Sequence, residues 1–286
     1  MGGEKERGRN SMNDLRLRIS PEPGLTPIYA AGSGPLGLLS FSLLRLESGD
    51  TFELDTGAQE YVLMYLSGIA DLTAGGEVHE SLGGRTSVFA GKATGVYVPP
   101  ATDCRLLAKS QAVVALCSAP STSRGPVQVI RPEQVQVNKA GNWNWRREVH
   151  NVVGENVPQA QRLVVGETFN PPGNWSSYPP HKHEVDAYPE EVRMEEIYYY
   201  RFNPSQGFGL QRAYSDDRSL DVAYTVEEGD TVLLPRGYHP VVAAPGYQLY
   251  YLWMLAGQTD RRMKPRDDTA HGWVKAAGEM AKDMGF

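Results

Sequence analysis

The chain has 286 residues, and its 28 lysine and arginine residues against 34 aspartate and glutamate residues give a formal net charge of −6. This balance disfavours nucleic acid as a partner, because phosphate binding needs a basic stripe. No stretch approaches the roughly 18 apolar residues of a membrane span, so we expect no membrane partner. The N-terminal residues lack the pattern of a signal peptide, and Cys104 and Cys117 are the only cysteines. We therefore expect a cytoplasmic protein.

Short strand-like runs follow one another along the chain, broken by 30 glycines and 20 prolines. One set lies within residues 28–119 and a second within 162–255, with a polar stretch rich in Ser, Pro and Gly at 118–129 between them. No long segment of helical period separates the strands, which predicts an all-β fold of antiparallel barrels. The expected division is a disordered or extended lead at 1–24, a first barrel at 25–120, a connecting segment at 121–160 and a second barrel at 161–286.

Three short patterns recur in the same order in both halves, as a duplicated domain would produce. They are a Gly-Asp pair, an acid followed by an aromatic strand, and a strand that ends in proline: Gly49-Asp50 and Gly229-Asp230, Glu60-Tyr61 and Glu196-Ile197-Tyr198, and residues 96–99 and 232–235. After the second set, apolar residues at near-helical spacing over 271–285 predict one terminal helix that caps a sheet.

The densest chemical signal is the segment YPPHKHE at residues 178–184. On an extended segment, residues two apart point to the same side, so His181 and His183 can present both imidazoles to one ion while Lys182 points away. A lone H-x-H is weak evidence, because histidine-rich turns are common on protein surfaces.

Further along the chain, Glu196 opens a strand in which period two places Tyr198 and Tyr200 on the same face as the carboxylate. A carboxylate in line with buried aromatic rings needs a cation or solvent, because burial of an unpaired charge is costly. A Pro/Gly turn then leads to His239, which is the third imidazole. Three imidazoles and one carboxylate suit Zn, Mn, Fe, Ni or Co, with positions left open for substrate.

Together, the H-x-H, the glutamate before an aromatic strand and the pattern G-x5-P-x-G-x-H resemble the two-part motif of the cupin superfamily. Longer segments resemble one family within it, the 5-deoxy-glucuronate isomerases of myo-inositol catabolism, which are related to the 4-deoxy-5-ketouronate isomerases. These segments are residues 178–184, 195–199, 201–204, 206–208, 216–221 and 235–247, with 84–89 and 97–100 in the first half. The resemblance implies two tandem cupin barrels, a bicupin.

Two departures from the ordinary cupin pattern affect the site. The gap from His183 to Glu196 is 196 − 183 = 13 positions, longer than in ordinary cupins, which makes Glu195 and Glu196 rival ligands. We favour Glu196, because the family pattern places its ligand directly before the aliphatic residue that starts the strand. The first half has no H-x-H, and its His79 stands alone, so we expect the first barrel to lack a metal site.

The resemblance implies an aldose-ketose isomerase that converts 5-deoxy-D-glucuronate to 5-dehydro-2-deoxy-D-gluconate. One divalent ion, Zn, Mn or Fe, would be held by His181, His183, Glu196 and His239 and would stabilise an enediolate. Glu195, a pocket tyrosine such as Tyr198 or Tyr200, or a hydroxide on the ion could serve as the base. Arg212, on a strand-like run of the second barrel, is the expected anchor for the substrate carboxylate, with a surface ion pair as the alternative.

Two other functions remain open at this level. An iron-dependent cupin dioxygenase could use the same histidine and glutamate set, and oxygen uptake would distinguish it. A non-catalytic sugar-binding bicupin would keep the ion as a scaffold only. In each case the expected partner is a small sugar acid, and the sequence is also compatible with a homo-oligomer.

Overall fold

The structure is a computed structural model that describes residues 14–284. The first half of the chain forms ten strands, followed by an eleventh after a polar connection. Their bounds are β1 Arg16–Leu17, β2 Gly24–Tyr29, β3 Ser40–Leu46, β4 Thr51–Asp55, β5 Gln59–Ser67, β6 Ile69–Ala74, β7 Glu77–Gly83, β8 Thr94–Val98, β9 Asp103–Ala108, β10 Ala112–Pro120 and β11 Gln128–Ile130. Strands β2 to β11 form a six-stranded sheet in the order β11-β8-β5-β10-β3-β2 and a four-stranded sheet in the order β4-β9-β6-β7.

The second half repeats this architecture. Its strands are β12 Gln136–Ala140, β13 Arg147–Val153, β14 Leu163–Asn170, β15 Trp175–Ser176, β16 His181–Lys182, β17 Met194–Asn203, β18 Phe208–Tyr214, β19 Asp221–Glu227, β20 Thr231–Leu234, β21 Val241–Ala243, β22 Gln248–Gly257 and β23 Arg266–Asp267. They form a seven-stranded sheet in the order β1-β20-β17-β22-β14-β13-β12, a four-stranded sheet in the order β15-β21-β18-β19, and the pair β16-β23. Short 3-10 turns at Pro132–Gln134 and Trp143–Trp145 interrupt the connecting segment. The all-β prediction is confirmed.

Each barrel receives an edge strand from the segment that precedes the other barrel. Strand β1 pairs with β20 in the second barrel, and β11 pairs with β8 in the first. The expected lead at 1–24 therefore contains a paired strand, while its residues 1–13 lie outside the described residues. The connecting segment at 121–160 contributes β11 to one barrel and β12 and β13 to the other. The boundaries that we expected from the sequence stay predictions.

The strand registers align the two halves residue by residue. Strand β8 ends at Val98, opposite Tyr61, and β20 ends at Leu234, opposite Glu196. In both halves the next residue is a proline. Counting along these ladders makes Tyr61 equivalent to Glu196, and therefore makes Glu60 equivalent to Glu195. The sequence pattern had paired Glu60 with Glu196, which is one position out of register.

The two barrels share one hydrophobic core. The larger cluster of buried residues draws on both halves, and the ring of Phe41 in β3 lies 5.5 Å from the ring of Tyr199 in β17. A buried ion pair crosses the same interface, where Nη1 of Arg85 lies 3.1 Å from the Glu167 carboxylate. Tyr250 donates a 2.8 Å hydrogen bond to that carboxylate. The barrels are therefore packed together by apolar burial and one satisfied charge pair.

The terminal helix forms where the apolar spacing predicted it. Helix α1 spans Trp273–Asp283, and it buries Val274 while Trp273 and Met280 stay exposed. Within residues 14–284, no helix is long and apolar enough to cross a membrane.

Candidate metal centre

A short strand pair and hydrogen bonds to the backbone hold the H-x-H segment in an extended conformation. Strand β16 places His181 opposite Asp267 of β23. One residue beyond this strand, the His183 ring donates from Nδ1 to the carbonyl oxygen of Met194 at 2.7 Å, if that nitrogen carries the proton. This bond fixes the ring orientation and directs Nε2 toward the barrel interior. His181 and His183 are two residues apart, and both imidazoles face the same side of the segment, as the period of two predicts.

Glu196 lies between two of the histidines. Its Oε2 is 2.9 Å from Nε2 of His183 and 3.3 Å from Nε2 of His239. The candidate ligand atoms of these three residues all lie within 4.8 Å of one another, and all three side chains are buried. The His181 ring stands beside this compact group, with its centroid 4.8 Å from that of His239 and 6.4 Å from that of His183.

A glycine turn delivers His239 to the cluster. Gly237 has a φ of +82°, and a Cβ there would come within 2.6 Å of the Tyr214 carbonyl oxygen, so only glycine fits. His239 Nδ1 then lies 2.9 Å from the carbonyl oxygen of Gly237 two residues earlier. This contact leaves Nε2 pointing at Glu196.

The electrostatics favour neutral imidazoles at two of the three positions. Burial lowers the pKa of His239 to about 3, although the Glu196 charge acts in the opposite direction. Burial and the neighbouring His183 lower the pKa of His181 to about 3 as well. Burial is the largest single influence on His183 and disfavours its charged form, but the hydrogen bond to Glu196, the Glu196 charge and the backbone hydrogen bonds together outweigh it and raise the pKa. Neutral imidazoles beside a carboxylate are the form in which these side chains bind a metal ion.

One buried nitrogen of the ligand cluster makes no hydrogen bond within the described part of the chain. Nε2 of His239 is shielded from solvent and makes no hydrogen bond. A buried polar nitrogen without a partner costs free energy, unless a bound group satisfies it. Because it faces a carboxylate and a second imidazole, the residues fit a divalent ion with nitrogen and oxygen ligands.

Two tyrosines of β17 line the barrel beside the cluster, as the strand period predicted. The Tyr198 ring lies 5.9 Å from the His239 ring, and its hydroxyl is 2.9 Å from Oγ of Ser177. Tyr200 lies deeper and donates to the side-chain oxygen of Gln211. Burial raises the pKa of both phenols well above the ordinary value. Both hydroxyls therefore stay protonated in this environment.

Gln211 was missed by the sequence interpretation. Its side-chain nitrogen donates a 2.7 Å hydrogen bond to the carbonyl oxygen of His239, so it links Tyr200 to the backbone of the third histidine. The alternation of buried and exposed residues along β18 places Gln211 inward. Period-two counting would not have identified it, because the apolar Phe208 and Leu210 share the exposed face of Arg212.

Arg212 is on the outside of the barrel, and this corrects the sequence expectation. Because Gln211 faces inward, its neighbour must face outward. The Arg212 guanidinium forms two 3.0 Å hydrogen bonds to the Asp221 carboxylate on the adjacent strand. Its side chain is 45% exposed. The surface ion pair considered as the alternative is what the structure contains.

Glu195 is also directed away from the cluster. Its carboxylate accepts hydrogen bonds from the backbone N–H groups of Gly37, Leu38 and Leu39, at 2.8, 2.8 and 3.3 Å. These residues precede β3 of the first barrel. Glu195 therefore neither competes with Glu196 as a ligand nor faces the space beside the histidines, so the expectation that it acts as a base is wrong.

The space beside the cluster is small, and a larger groove lies elsewhere on the same barrel. A cavity of about 30 Å³ borders His181, His183 and Glu196 and is closed by the segment Met263 to Pro265. A groove of about 650 Å³ opens near Asn203 at the far end of β17, with Arg146 and Arg147 on its wall. The candidate ligands converge at the small cavity.

Comparison with known proteins identifies the family. The model of the KduI/IolB family matches residues 27–274. A 5-deoxy-glucuronate isomerase from Bacillus licheniformis is 41% identical over 240 residues, which cover 84% of this chain and 88% of that protein. The protein of that name from Halalkalibacterium halodurans is 41% identical over 260 residues, 91% of this chain and 96% of its own.

Solved structures agree with this relationship. The crystal structure of an IolB-like protein from Salmonella typhimurium superposes with a TM-score of 0.87 at 34% identity, covering 92% of this chain and 99% of that one. A variant of oxalate decarboxylase from Bacillus subtilis gives a TM-score of 0.65 at 12% identity, covering 92% and 81%, which shows a shared fold alone. The chain belongs to the KduI/IolB family.

Proposed function

We propose that this chain is an isomerase that converts 5-deoxy-D-glucuronate to 5-dehydro-2-deoxy-D-gluconate, using a divalent ion bound by His181, His183, Glu196 and His239. The observation that carries the proposal is the convergence of His183, Glu196 and His239 around the unpartnered Nε2 of His239. Relatives that are 41% identical over most of the chain carry the name of this isomerase.

The residues around the ligands support the role of each ligand. His183 and His239 each have Nδ1 close to a backbone carbonyl oxygen, at 2.7 and 2.9 Å, so both present Nε2 inward. Such hydrogen bonds fix the tautomer and the orientation of a ligating imidazole. An ion bound there would polarise the substrate carbonyl and stabilise the negative charge of the enediolate.

We assign to the Tyr198 hydroxyl the role of binding the substrate. Its pKa is raised well above the ordinary value, with burial as the largest cause and the nearby Glu196 charge as the next. The phenol therefore donates a hydrogen bond to a substrate oxygen and holds its proton there. Ser177, 2.9 Å away, fixes the direction of the hydroxyl. Tyr200 acts through Gln211 and positions His239.

The identity of the ion and the location of the enzyme are part of the proposal. Nitrogen and carboxylate ligands suit Zn, Mn or Fe and do not select among them. Cys104 and Cys117 are both free and buried, which is compatible with the reducing cytoplasm.

The test combines metal analysis with an NMR assay on the purified protein. We expect about one divalent ion per chain and conversion of 5-deoxy-D-glucuronate to the keto acid without oxygen consumption. Chelation should abolish turnover, and the returned ion should restore it. Oxygen uptake with substrate would favour the dioxygenase, while metal binding without turnover would favour a non-catalytic sugar-binding protein.

A further inference from the structure

The inference concerns the carboxylate end of the substrate, and it rests on the proposed function. In 5-deoxy-D-glucuronate, the carboxylate lies at the opposite end of the carbon chain from the reacting aldehyde. Arginine is well suited to hold a carboxylate because its planar guanidinium forms two parallel hydrogen bonds. A suitable cation must lie near the metal centre and have no carboxylate partner of its own.

Several cations around the second barrel fail this requirement because a carboxylate already neutralises them. Lys182 is buried and lies 2.9 Å from Glu184, with Asp216 on its other side. Arg212 is bound to Asp221 on the outer surface. Lys275 is paired with Asp267. Each would have to break an ion pair before it could bind a substrate.

Arg147 meets the requirement. It is the first residue of β13, it is half-buried, and it forms no ion pair within residues 14–284. Nη1 donates to the carbonyl oxygens of Trp145 and Tyr178, both at 3.1 Å. Both partners are neutral, so the positive charge has no counter-charge in contact. We propose that Arg147 binds the carboxylate of the substrate.

The contacts of Arg147 connect it to the metal centre. Tyr178, which accepts its hydrogen bond, lies three residues before His181. Just before Tyr178 in the chain, Ser177 contacts the Tyr198 hydroxyl at 2.9 Å. The Tyr198 ring lies 5.9 Å from the His239 ring. Arg147 is therefore linked to the ligand cluster through the segment of Ser177 and Tyr178, and it is close enough for its charge to lower the pKa of His181.

The position of Arg147 also connects the cluster to the large groove. Arg147 lines the groove of about 650 Å³, and this volume suits a small molecule. The small cavity at the ligands, about 30 Å³, holds no more than a water-sized group. A sugar acid must therefore extend away from the ligands, and Arg147 is a cation on the wall of the groove into which it could extend.

The charge environment explains why an anion would bind there. Burial lowers the pKa of Arg147, and Tyr251, Tyr198 and Asp267 act in the opposite direction. A guanidinium nevertheless stays charged in proteins, so the charge is held partly buried without a counter-ion. A bound carboxylate would supply the missing counter-charge.

Lys264 is the rival cation. It is exposed, and it lines the small cavity beside His181 and Glu196. Its backbone carbonyl accepts a hydrogen bond from Val192. A carboxylate held by Lys264 would direct the substrate out through the opposite side of the cluster. The experiment therefore treats Lys264 as a separate arm.

The experiment measures the discrimination between the acid and a neutral analogue in which a hydroxymethyl group replaces the carboxylate. We expect Arg147→Gln to lower kcat/KM for the acid by about tenfold to a hundredfold and to leave the neutral analogue within about twofold. Arg147→Lys should keep part of the preference, since a point charge cannot reproduce the two-pronged contact. Arg146→Gln is the matched control, because Arg146 is the exposed neighbour on the same groove.

Equal losses on both compounds would overturn the proposal, because they would indicate a structural role for Arg147. Unchanged kinetics for Arg147→Gln, or a selective loss in Lys264→Gln, would overturn it as well. A second readout is calorimetric binding of the acid with its aldehyde reduced to an alcohol, measured on metal-free protein. We expect Arg147→Gln to weaken this binding by at least about tenfold. If the wild-type protein binds this acid through Arg147 but does not isomerise the substrate, the proposed function fails and the inference stands.

Discussion

Glu60 and Glu195 occupy equivalent positions in the two barrels, and each binds the backbone that begins the other barrel. Glu60 accepts hydrogen bonds from the N–H groups of residues 161–163, at 2.8, 2.7 and 2.9 Å. Glu195 accepts hydrogen bonds from the N–H groups of residues 37–39. The two triplets also correspond to one another in the strand registers. The duplicated fold therefore closes its interface with a reciprocal pair of carboxylates.

The same alignment shows how the two barrels differ at the position of the proposed ligand. The position of Glu196 in the second barrel is occupied by Tyr61 in the first. The first barrel keeps the carboxylate that binds the neighbouring backbone, and it has a phenol where the second has the proposed ligand. Glu195, which binds the backbone of the other barrel, and Glu196, the proposed ligand, are neighbours on one strand. They have different surroundings because adjacent residues face opposite sides of a sheet.

Glu195→Gln should destabilise the protein without removing the ion. The amide loses charged acceptor oxygens for the N–H groups of residues 37–39, so we expect a decrease of about 1 to 3 kcal/mol in the free energy of unfolding, measured with urea. Glu60→Gln should cost a similar amount, and Glu22→Gln, at an exposed position, serves as the control. A variant of Glu195 with wild-type stability and a hundredfold loss of turnover would return this residue to the role of base.

Glu196→Gln and His239→Ala should each bind much less metal. Glu196→Gln removes the negative charge of one proposed ligand and His239→Ala removes the imidazole of another, so the metal content should fall from about one ion per chain toward zero, with turnover falling in parallel. Elemental analysis after dialysis measures this directly. His79→Ala is the control, since this histidine lies in β7 of the first barrel, and its activity should stay within about twofold of wild type. A full complement of metal in His239→Ala would contradict the ligand set.

Tyr198→Phe should lower turnover while metal content and fold are retained. The variant loses the hydroxyl that we expect to donate a hydrogen bond to the substrate, and loss of one such donor lowers turnover by about a hundredfold to a thousandfold. Steady-state kinetics and metal analysis on the same sample separate the two effects. Tyr200→Phe should instead reduce stability by about 1 to 3 kcal/mol, because it leaves the buried side chain of Gln211 without its partner. Equal activity of wild type and Tyr198→Phe would exclude the proposed role.

Arg85→Met should destabilise the packing between the barrels. It leaves the buried carboxylate of Glu167 with only the hydrogen bond from Tyr250, and loss of one partner from a buried ion pair costs about 3 to 5 kcal/mol. The double variant Arg85→Met, Glu167→Leu should recover much of this loss, because neither charge then remains. Denaturant unfolding of the wild type and the two variants tests the prediction. A double variant less stable than Arg85→Met would contradict it.

Local pattern in the sequence was sufficient for the fold class, and it selected His183, Glu196 and His239, which the structure brings together. Strand-length apolar runs separated by Gly and Pro predict β structure, since both helices and long loops would need different spacing. The H-x-H spacing and the period-two alignment of Glu196 with Tyr198 and Tyr200 are local properties of a strand. They describe the side of the strand on which each side chain lies, whatever the strand contacts.

Tertiary structure decided what each face of a strand meets. Arg212 and Gln211 are adjacent, and only the pairing of β18 with β19 and β21 shows which of them faces the interior. Glu195 looks like a second catalytic acid in the sequence, but its partners at residues 37–39 are more than 150 positions away. No local sequence pattern identifies Arg147. Whether a charged side chain has a carboxylate next to it depends on how distant segments pack. Contacts between distant segments decide which charges are neutralised, and those contacts form only when the two barrels close on each other.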